Sequence, residues 1–558
     1  MKMINILKKH KMKYILCIIA AMIVFLSFQT PSQFYVAGNS GNYASNPNIR
    51  VGLIYGSGAV ASFETYATAE QGFIIGQVRK GTGNSFSSLL TLNTNRITVA
   101  RARRYRVEFA GTFSNFTEAG NFINNLPDTF TNAFPAYING TIVVRSNSFA
   151  TADEANAFIS STAGNYSLKA VIGSQTATAI VNPAVNATVF EYENDSNDMA
   201  IAVSSGHIRS PADNIYTGAF VYRGRGSLVE VINLVGLEDY IKGVVSTEIS
   251  PNWHSEVLKA FSIVARTYAL YTLSAGNRHV NEGYMLCNDI HCQWFLGLKY
   301  ATAESNAAVD STKDLVITYE GSPIEAVYFS SSGGTTETHN DAWGGDLKHP
   351  YLLSVPLPFE DYENHNNALW KSVVSPKELA DYLVNTTSYS SRFKDVINSD
   401  ISKIRINERS NPSNYIKDVD IIDRNGNTVN IKDSDKLRIA FSRYANSANM
   451  DIYTSFSYPM FNKNDTLIET KDLYVISVNG TSKIAVEADE INILTVSGKK
   501  TFSTNEYNFV FDGKGWGHGV GMSQYAAKDL AEAGYLYPEI IKTFYTDIAI
   551  SKITDVSR

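Results

Sequence analysis

The sequence predicts a multidomain α+β protein, with a small ferredoxin-like βα-repeat module ahead of a larger α+β domain. Three observations lead there. The chain is 558 residues long, more than a single hydrophobic core usually organises, so two to four domains are expected. A block of residues repeats itself at a spacing of 36. Strand-like and helix-like stretches come in runs, without the regular alternation of a doubly wound sheet.

In chain order, residues 1–37 come first. Lys2, Lys8, Lys9, Lys11 and Lys13 precede an apolar run of 15 residues, Tyr14 to Phe28. This is the layout of a secretory signal, and the run is short for a membrane span of about 20 residues. No clean small-x-small cleavage site follows, so a signal peptide and an uncleaved anchor both stand. Either places the remainder outside the cytoplasmic membrane, touching the membrane only through this segment. Residues 48–100 read as short strands, punctuated by Gly56, Gly58 and Gly72.

Residues 103–165 hold the repeat. Phe113, Glu118, Ala119, Phe122 and Ile123 recur as Phe149, Glu154, Ala155, Phe158 and Ile159. A strand-like stretch precedes each copy, and each copy reads as a capped helix with Phe-Ile on one face. Residues 170–198 read as a linker with strand content. From 199 to 552 one long domain is expected: strands around Leu228–Leu234, then helices, then hairpins at Asn425-Gly426 and Asn479-Gly480, and a last helix after Gly521.

Composition excludes little, but charge excludes something. The formal charge is −6, and about −11 once the five leader lysines are removed (−6 − 5). Such a chain is a poor general nucleic-acid binder. An anionic glycan would need a local basic patch.

The densest chemistry lies between Leu237 and Ala275. Leu237 to Glu248 reads as a helix that Pro251 stops, and a second helix runs from about Ser255 to Gly276. Glu248 then sits at a helix end beside a bend, with Trp253 close by in sequence. Apolar surroundings would raise the carboxyl pKa, as a general acid needs. Arg266 lies deep in an apolar helix and wants an anionic partner, either a substrate carboxylate or a structural Asp/Glu. Further on, five glycines in the nine residues 513–521 surround His518. Two readings stand for that loop: a site lining that backbone can approach closely, or a tight turn around a hydrogen-bonded core histidine. Between these lie Cys287, His291 and Cys292, with His279 eight residues upstream of Cys287. Spacing alone leaves zinc, a disulfide and free thiols open.

Two resemblances sharpen this. The 103–165 repeat resembles the SPOR domain, a peptidoglycan-binding module, through its strand, Phe-Ser turn and helix opening with Glu-Ala. Three longer motifs resemble the stage II sporulation protein D (SpoIID/LytB) family. They are Val244 to Trp253 with Glu256–Ala260 and Ala265–Leu270; Tyr328 to Thr335 with Asp341–Gly344 and Pro350–Leu352; and Gly513 to Ala527. The resemblance implies a lytic transglycosylase that cleaves the MurNAc-GlcNAc bond of peptide-stripped glycan strands and leaves 1,6-anhydro ends. It implies Glu248 as the catalytic residue, with Trp253, Arg266, His518 and Gln524 as substrate contacts. Through family members that carry a Cys/His cluster it favours structural zinc on His279, Cys287, His291 and Cys292. A hydrolase would use two carboxylates; Asp289, Asp341 and Glu256 are the available second groups, and nothing in the sequence selects one. The implied partners are glycan strands, a cell-wall amidase and other sporulation proteins. The competing reading is a non-enzymatic amidase enhancer. A catalytic zinc peptidase is disfavoured by the lack of an H-E-x-x-H motif.

Overall fold

The computed structural model describes residues 47–556, leaving out 69–71, 82–83, 163, 165, 204, 275–278, 346–348, 362 and 366–367, and of 453–506 it describes strand ranges alone. The leader expected over 1–37 lies outside the described residues. No described helix is long and apolar enough to cross a membrane. The chain divides into two units: residues up to Pro323 with Ser551–Arg558, and Ile324–Ile550.

In the first unit, residues 48–100 are no separate segment. The strand Asn48–Ile54 pairs antiparallel with Leu228–Gly236, and Phe73–Arg79 pairs with Asn197–Val203. They belong to one seven-stranded sheet. Its apolar side chains face a ten-stranded sheet, where Phe63 meets Phe220 edge-on at 6.1 Å between ring centroids and Thr65 hydrogen-bonds Tyr222 at 2.5 Å. The expected linker at 170–198 is likewise structural: Thr178–Asn182 and Ala187–Glu193 are adjacent strands of that second sheet.

The repeat is an insertion into this sheet. The chain leaves at Arg101 and returns at Thr178, two residues paired across neighbouring antiparallel strands. Between them run Tyr105–Phe109, helix Phe116–Asn124, Phe134–Ile138, Thr141–Phe149, helix Ala152–Thr162 and Leu168–Val171. With the four strands numbered within the module, their spatial order is 4-1-3-2, the ferredoxin-like arrangement the repeat predicted. The repeat is visible in the caps. Glu118 N–H donates to the Asn115 side chain and Glu154 N–H to Thr151 Oγ1. Each glutamate then reaches back, Glu118 to Ser114 N–H and Glu154 to Ala150 N–H. Phe109, Ala119, Phe130 and Val144 form the core beneath the helices. On the strand Tyr105–Phe109 the alternate residues Arg106 and Glu108 point the other way. There Arg106 and Arg145 share Glu191 at 2.8 and 2.9 Å, and Arg145 also holds Glu108 at 2.9 Å. This ion network joins the insertion to its host sheet.

Helices Leu237–Glu248 and Ser255–Ser274 follow; the first ends ahead of Pro251 as expected, and Gly276, the expected stop of the second, lies outside the described residues. The second is buried on more than the expected face, with Leu258, Ile263, Ala265 and Leu270 enclosed as well as Val257, Phe261 and Val264.

The second unit is built on two three-stranded sheets. In one, Tyr507–Lys514 lies between Leu369–Val374 and Met450–Phe456; in the other, Ile416–Asp423 lies between Ile401–Arg409 and Thr428–Lys432. Both contribute to one core around Leu379, Phe393, Ile421, Phe441 and Phe511. The hairpin at Asn425-Gly426 is as expected, while the turn residue Asn479 lies outside the described residues. The single final helix becomes two, Gln524–Glu532 and Tyr537–Phe544.

Candidate functional site

Glu248 is the last residue of its helix, and the backbone turns extended at Ile249. Ser250 and Pro251 carry the chain round a tight bend, closed by Trp253 N–H to Ser250 O at 3.1 Å. His254 O then accepts from Val257 and Leu258 N–H, opening the second helix. Glu248 is half-buried. Its Oε1 accepts the Trp294 backbone N–H at 2.7 Å, so a segment 46 residues downstream fixes the carboxylate.

That segment is held from several sides. Gln293 is fully buried; its amide accepts from Tyr240 Oη at 3.2 Å and donates to Ala265 O at 3.4 Å. Phe295 N–H bonds Asn288 O. Gly243, in the middle of the first helix, lets the segment approach. A Cβ there would stand 2.5 Å from the Phe295 ring and 2.7 Å from Gly297 O. The glycine costs helix propensity and gains this close contact. Trp294 itself is 46% exposed.

The same segment leads back to the cysteines. Leu286 and Cys287 pair in parallel with Val51 and Gly52, which anchors one thiol to the central sheet. Cys292 N–H bonds Asp289 O. The donor atoms of His279, Cys287, His291 and Cys292 all lie within 4.8 Å of one another. Cys292 Sγ is 3.4 Å from His279 Nε2 and 3.6 Å from His291 Nδ1, and Cys287 Sγ is 3.6 Å from His291 Nδ1. A tetrahedral zinc with ordinary Zn–S and Zn–N lengths separates sulfur from nitrogen by about 3.6 Å. The set fits that ion. The two thiols are not joined as a disulfide. The Cys292 thiol beside it, helped by the Asp289 backbone and then His291, holds the Cys287 thiol well below its ordinary value.

Residues 225–319, which carry Glu248, the bend and the Cys/His cluster, match the family model described as stage II sporulation protein, SpoIID. This segment is SpoIID-like in sequence. It is similar to a protein of Bacillus subtilis (strain 168) named amidase enhancer, 28% identical over 316 residues, which span 55% of this chain and 39% of that protein. It is also similar to stage II sporulation protein D of Bacillus amyloliquefaciens and of Bacillus subtilis (strain 168). These are 24% and 25% identical over 344 and 346 residues, 60% of this chain and 78% of each relative. The chain thus spans well under half of the first relative and most of the other two.

Inside the SpoIID segment one expectation needs correction. Arg266 is fully buried. Its Nε and Nη2 bind both oxygens of Glu238 at 2.8 and 2.7 Å, and its remaining donors reach the carbonyls of Ser262, Val309 and Leu315. Its partner in the structure is the Glu238 carboxylate. Trp253 sits half-buried in the bend beside Glu248.

His518 and Gln524 belong to the second unit. Gly515, Gly517, Gly519 and Gly521 all take positive φ. Cβ atoms at Gly517, Gly519 and Gly521 would stand 2.8, 2.7 and 2.2 Å from Phe329, Tyr415 and Val327. The space beside these three glycines is filled by protein atoms. His518 lies against Phe329 and Trp343, at 5.5 and 5.0 Å between ring centroids, and its Nδ1 accepts Val520 N–H. Loss of hydration lowers it to about 4, so the imidazole is neutral at physiological pH. This is the hydrogen-bonded core histidine of the two readings. Gln524 is 8% exposed at the start of its helix, another interior position.

The candidate second carboxylates are engaged elsewhere. Glu256 binds Lys259 at 2.6 Å, Asp341 binds Lys417 at 2.9 Å, and Asp289 caps Ile290 N–H. Sequence reading missed Trp294, Gln293 and Tyr240. Their one signal was position, since Gln293-Trp294 directly follows Cys292.

Proposed function

We propose that this chain acts outside the cytoplasmic membrane as a lytic transglycosylase of peptidoglycan glycan strands, with Glu248 as its single acid/base. The observation that carries the reading is the held, half-buried Glu248 carboxylate at a helix end, gripped on one oxygen by Trp294 N–H. One oxygen is thereby fixed by a backbone donor.

In the reaction, Glu248 gives its proton to the glycosidic oxygen as the C1–O bond breaks, and C1 takes on oxocarbenium character. The N-acetylmuramic acid 6-hydroxyl then attacks C1. Its proton passes to Glu248, which regenerates the acid and closes the 1,6-anhydro ring. No water is consumed, so one carboxyl suffices. The exposed Trp294 ring offers an apolar face on which a sugar can stack.

His279, Cys287, His291 and Cys292 would hold zinc. With four protein ligands the ion supplies structure rather than an open reaction position, and the chain from Cys292 to Trp294 carries that order to Glu248. The inserted βα module is proposed, on its SPOR-like repeat, to hold glycan near the catalytic domain and raise its local concentration. Two relatives are named for sporulation and one as an amidase enhancer, which supports a wall-directed role. The enhancer name also supports the second reading, a glycan-binding protein that assists a cell-wall amidase.

The test is a digest of peptide-stripped glycan strands read by mass spectrometry, with Glu248→Gln in parallel. Products ending in 1,6-anhydro-N-acetylmuramic acid, absent for the variant, are expected. Reducing-end products would mean hydrolysis. Folded protein that binds strands without cutting them would favour the enhancer reading.

A further inference from the structure

The second unit holds a cluster that neither the motifs nor the comparisons assign. Glu325, His339 and His349 come from three places: the stretch before strand Tyr328–Phe329, the first turn of helix His339–Trp343, and the loop after it. Their donor atoms lie within 4.8 Å of one another. His349 Nε2 is 3.0 Å and His339 Nε2 3.9 Å from the same oxygen, Glu325 Oε2. The three side chains are only 12–17% exposed.

The surroundings hold them there. His339 N–H donates to Leu352 O, and Leu352 N–H to His349 O, so one residue fixes both backbones. Tyr351 Oη accepts Glu325 N–H at 3.0 Å, and its ring stands edge-on to His349 at 5.7 Å. Trp343 packs on His339 at 5.1 Å, and its indole N–H is tied to Asp435 at 2.9 Å.

We propose that Glu325, His339 and His349 form a second metal site, for a divalent transition cation. Two imidazoles and one carboxylate are the donor set of zinc and neighbouring first-row ions, and no thiolate is present to select a softer metal. Ordinary metal–nitrogen and metal–oxygen lengths in a tetrahedral site put nitrogen about 3.4 Å from oxygen. The two observed separations lie on either side of that value. The rings stack at 4.0 Å and 21°, so closure on one ion takes a turn of His339 about its Cβ–Cγ bond. Three protein ligands leave a coordination position open to water or a ligand oxygen. This distinguishes the site from the closed Cys/His cluster, and the proposal stands whether or not that cluster holds zinc.

The test uses the full chain, stripped of metal and equilibrated with Co²⁺. The expected result includes one ion per chain without a sulfur-to-cobalt charge-transfer band, beyond any ion that shows the band through Cys287 and Cys292. Replacing His339→Ala and His349→Ala together should remove that ion and leave the thiolate band unchanged. Should the pair misfold by circular dichroism, His349→Gln, which keeps a polar group beside Glu325, reads the same loss of one ion. Cobalt bound only with the thiolate band, or an unchanged count in a folded variant, overturns the proposal. A missing thiolate band with the bandless ion present would count against the Cys/His zinc reading alone.

Discussion

The pairing of Arg266 with Glu238 decides whether this arginine serves fold or substrate, and its energetics make the decision measurable. Glu238→Gln keeps the shape and removes the charge. It leaves a guanidinium that is fully buried opposite a neutral amide. Breaking a buried pair from one side costs about 3–5 kcal/mol. Three carbonyls at 3.1–3.4 Å still solvate the cation, which places the loss near the lower end, about 3 kcal/mol. In a unit of this size that lowers the melting temperature by roughly 6 °C. Glu238→Leu combined with Arg266→Met removes both charges, and such apolar replacements are often neutral or better. The double variant should therefore melt near wild type and still act on glycan strands. Circular dichroism melts and the glycan digest read the two properties separately. A double variant that melts normally but no longer binds or cuts glycan would refute the structural assignment, as would a Glu238→Gln variant within about 1 kcal/mol of wild type.

Three further outcomes follow from the site. Gly243→Ala should destabilise by about 1–3 kcal/mol through overpacking against Phe295, and should lower activity more than stability because it shifts the Trp294 donor; unchanged turnover would detach that donor from catalysis. Chelation should first lower the melting temperature of the protein, since a closed Cys₂His₂ site contributes folding energy; loss of activity from a fully folded chain would instead mark a catalytic ion. His518 is held neutral by burial at about 4, below its unfolded value of about 6.5. Its contribution is therefore present above pH 6.5 and is lost as pH falls toward 4, by no more than about 3 kcal/mol. His518→Asn, which keeps an acceptor for Val520 N–H, should flatten that part of the stability–pH curve.

What the sequence disclosed was local. Pro251 marked the end of the first helix. The 36-residue repeat predicted both capped helices of the insertion, because a cap is made by residues three or four apart. The Cys/His spacing singled out four side chains whose donor atoms do come together. What stayed hidden was set by contacts between distant segments. Residues 48–100 looked like a separate segment because their partners are near 197–236. The 170–198 stretch looked like a linker because its hydrogen bonds go to strands at 96–101 and 134–138. Arg266 could not be assigned before Glu238 was seen opposite it, although both lie in the motif. The 513–521 glycines read as a ligand-approach loop because the atoms they accommodate, at Val327, Phe329 and Tyr415, lie about 100 residues or more upstream.

Around Glu248 these distant contacts converge. A carboxylate at the end of a helix beside a bend is ordinary. What singles this one out is a chain of constraint that runs from the central sheet through Cys287 to Cys292, and through the buried Gln293 to the Trp294 donor. Gly243 removes the one side chain that would hold that donor segment away from the helix. The order of these residues matters. The Cys/His loop ends two residues before the donor, so whatever fixes the loop also helps to fix the Glu248 carboxylate, and under the proposed acid/base role that positioning would matter to the chemistry. On this reading the cysteines matter to catalysis without touching the substrate. A chain that retained Glu248 but lost the Cys/His ligands would need some other anchor for residue 294.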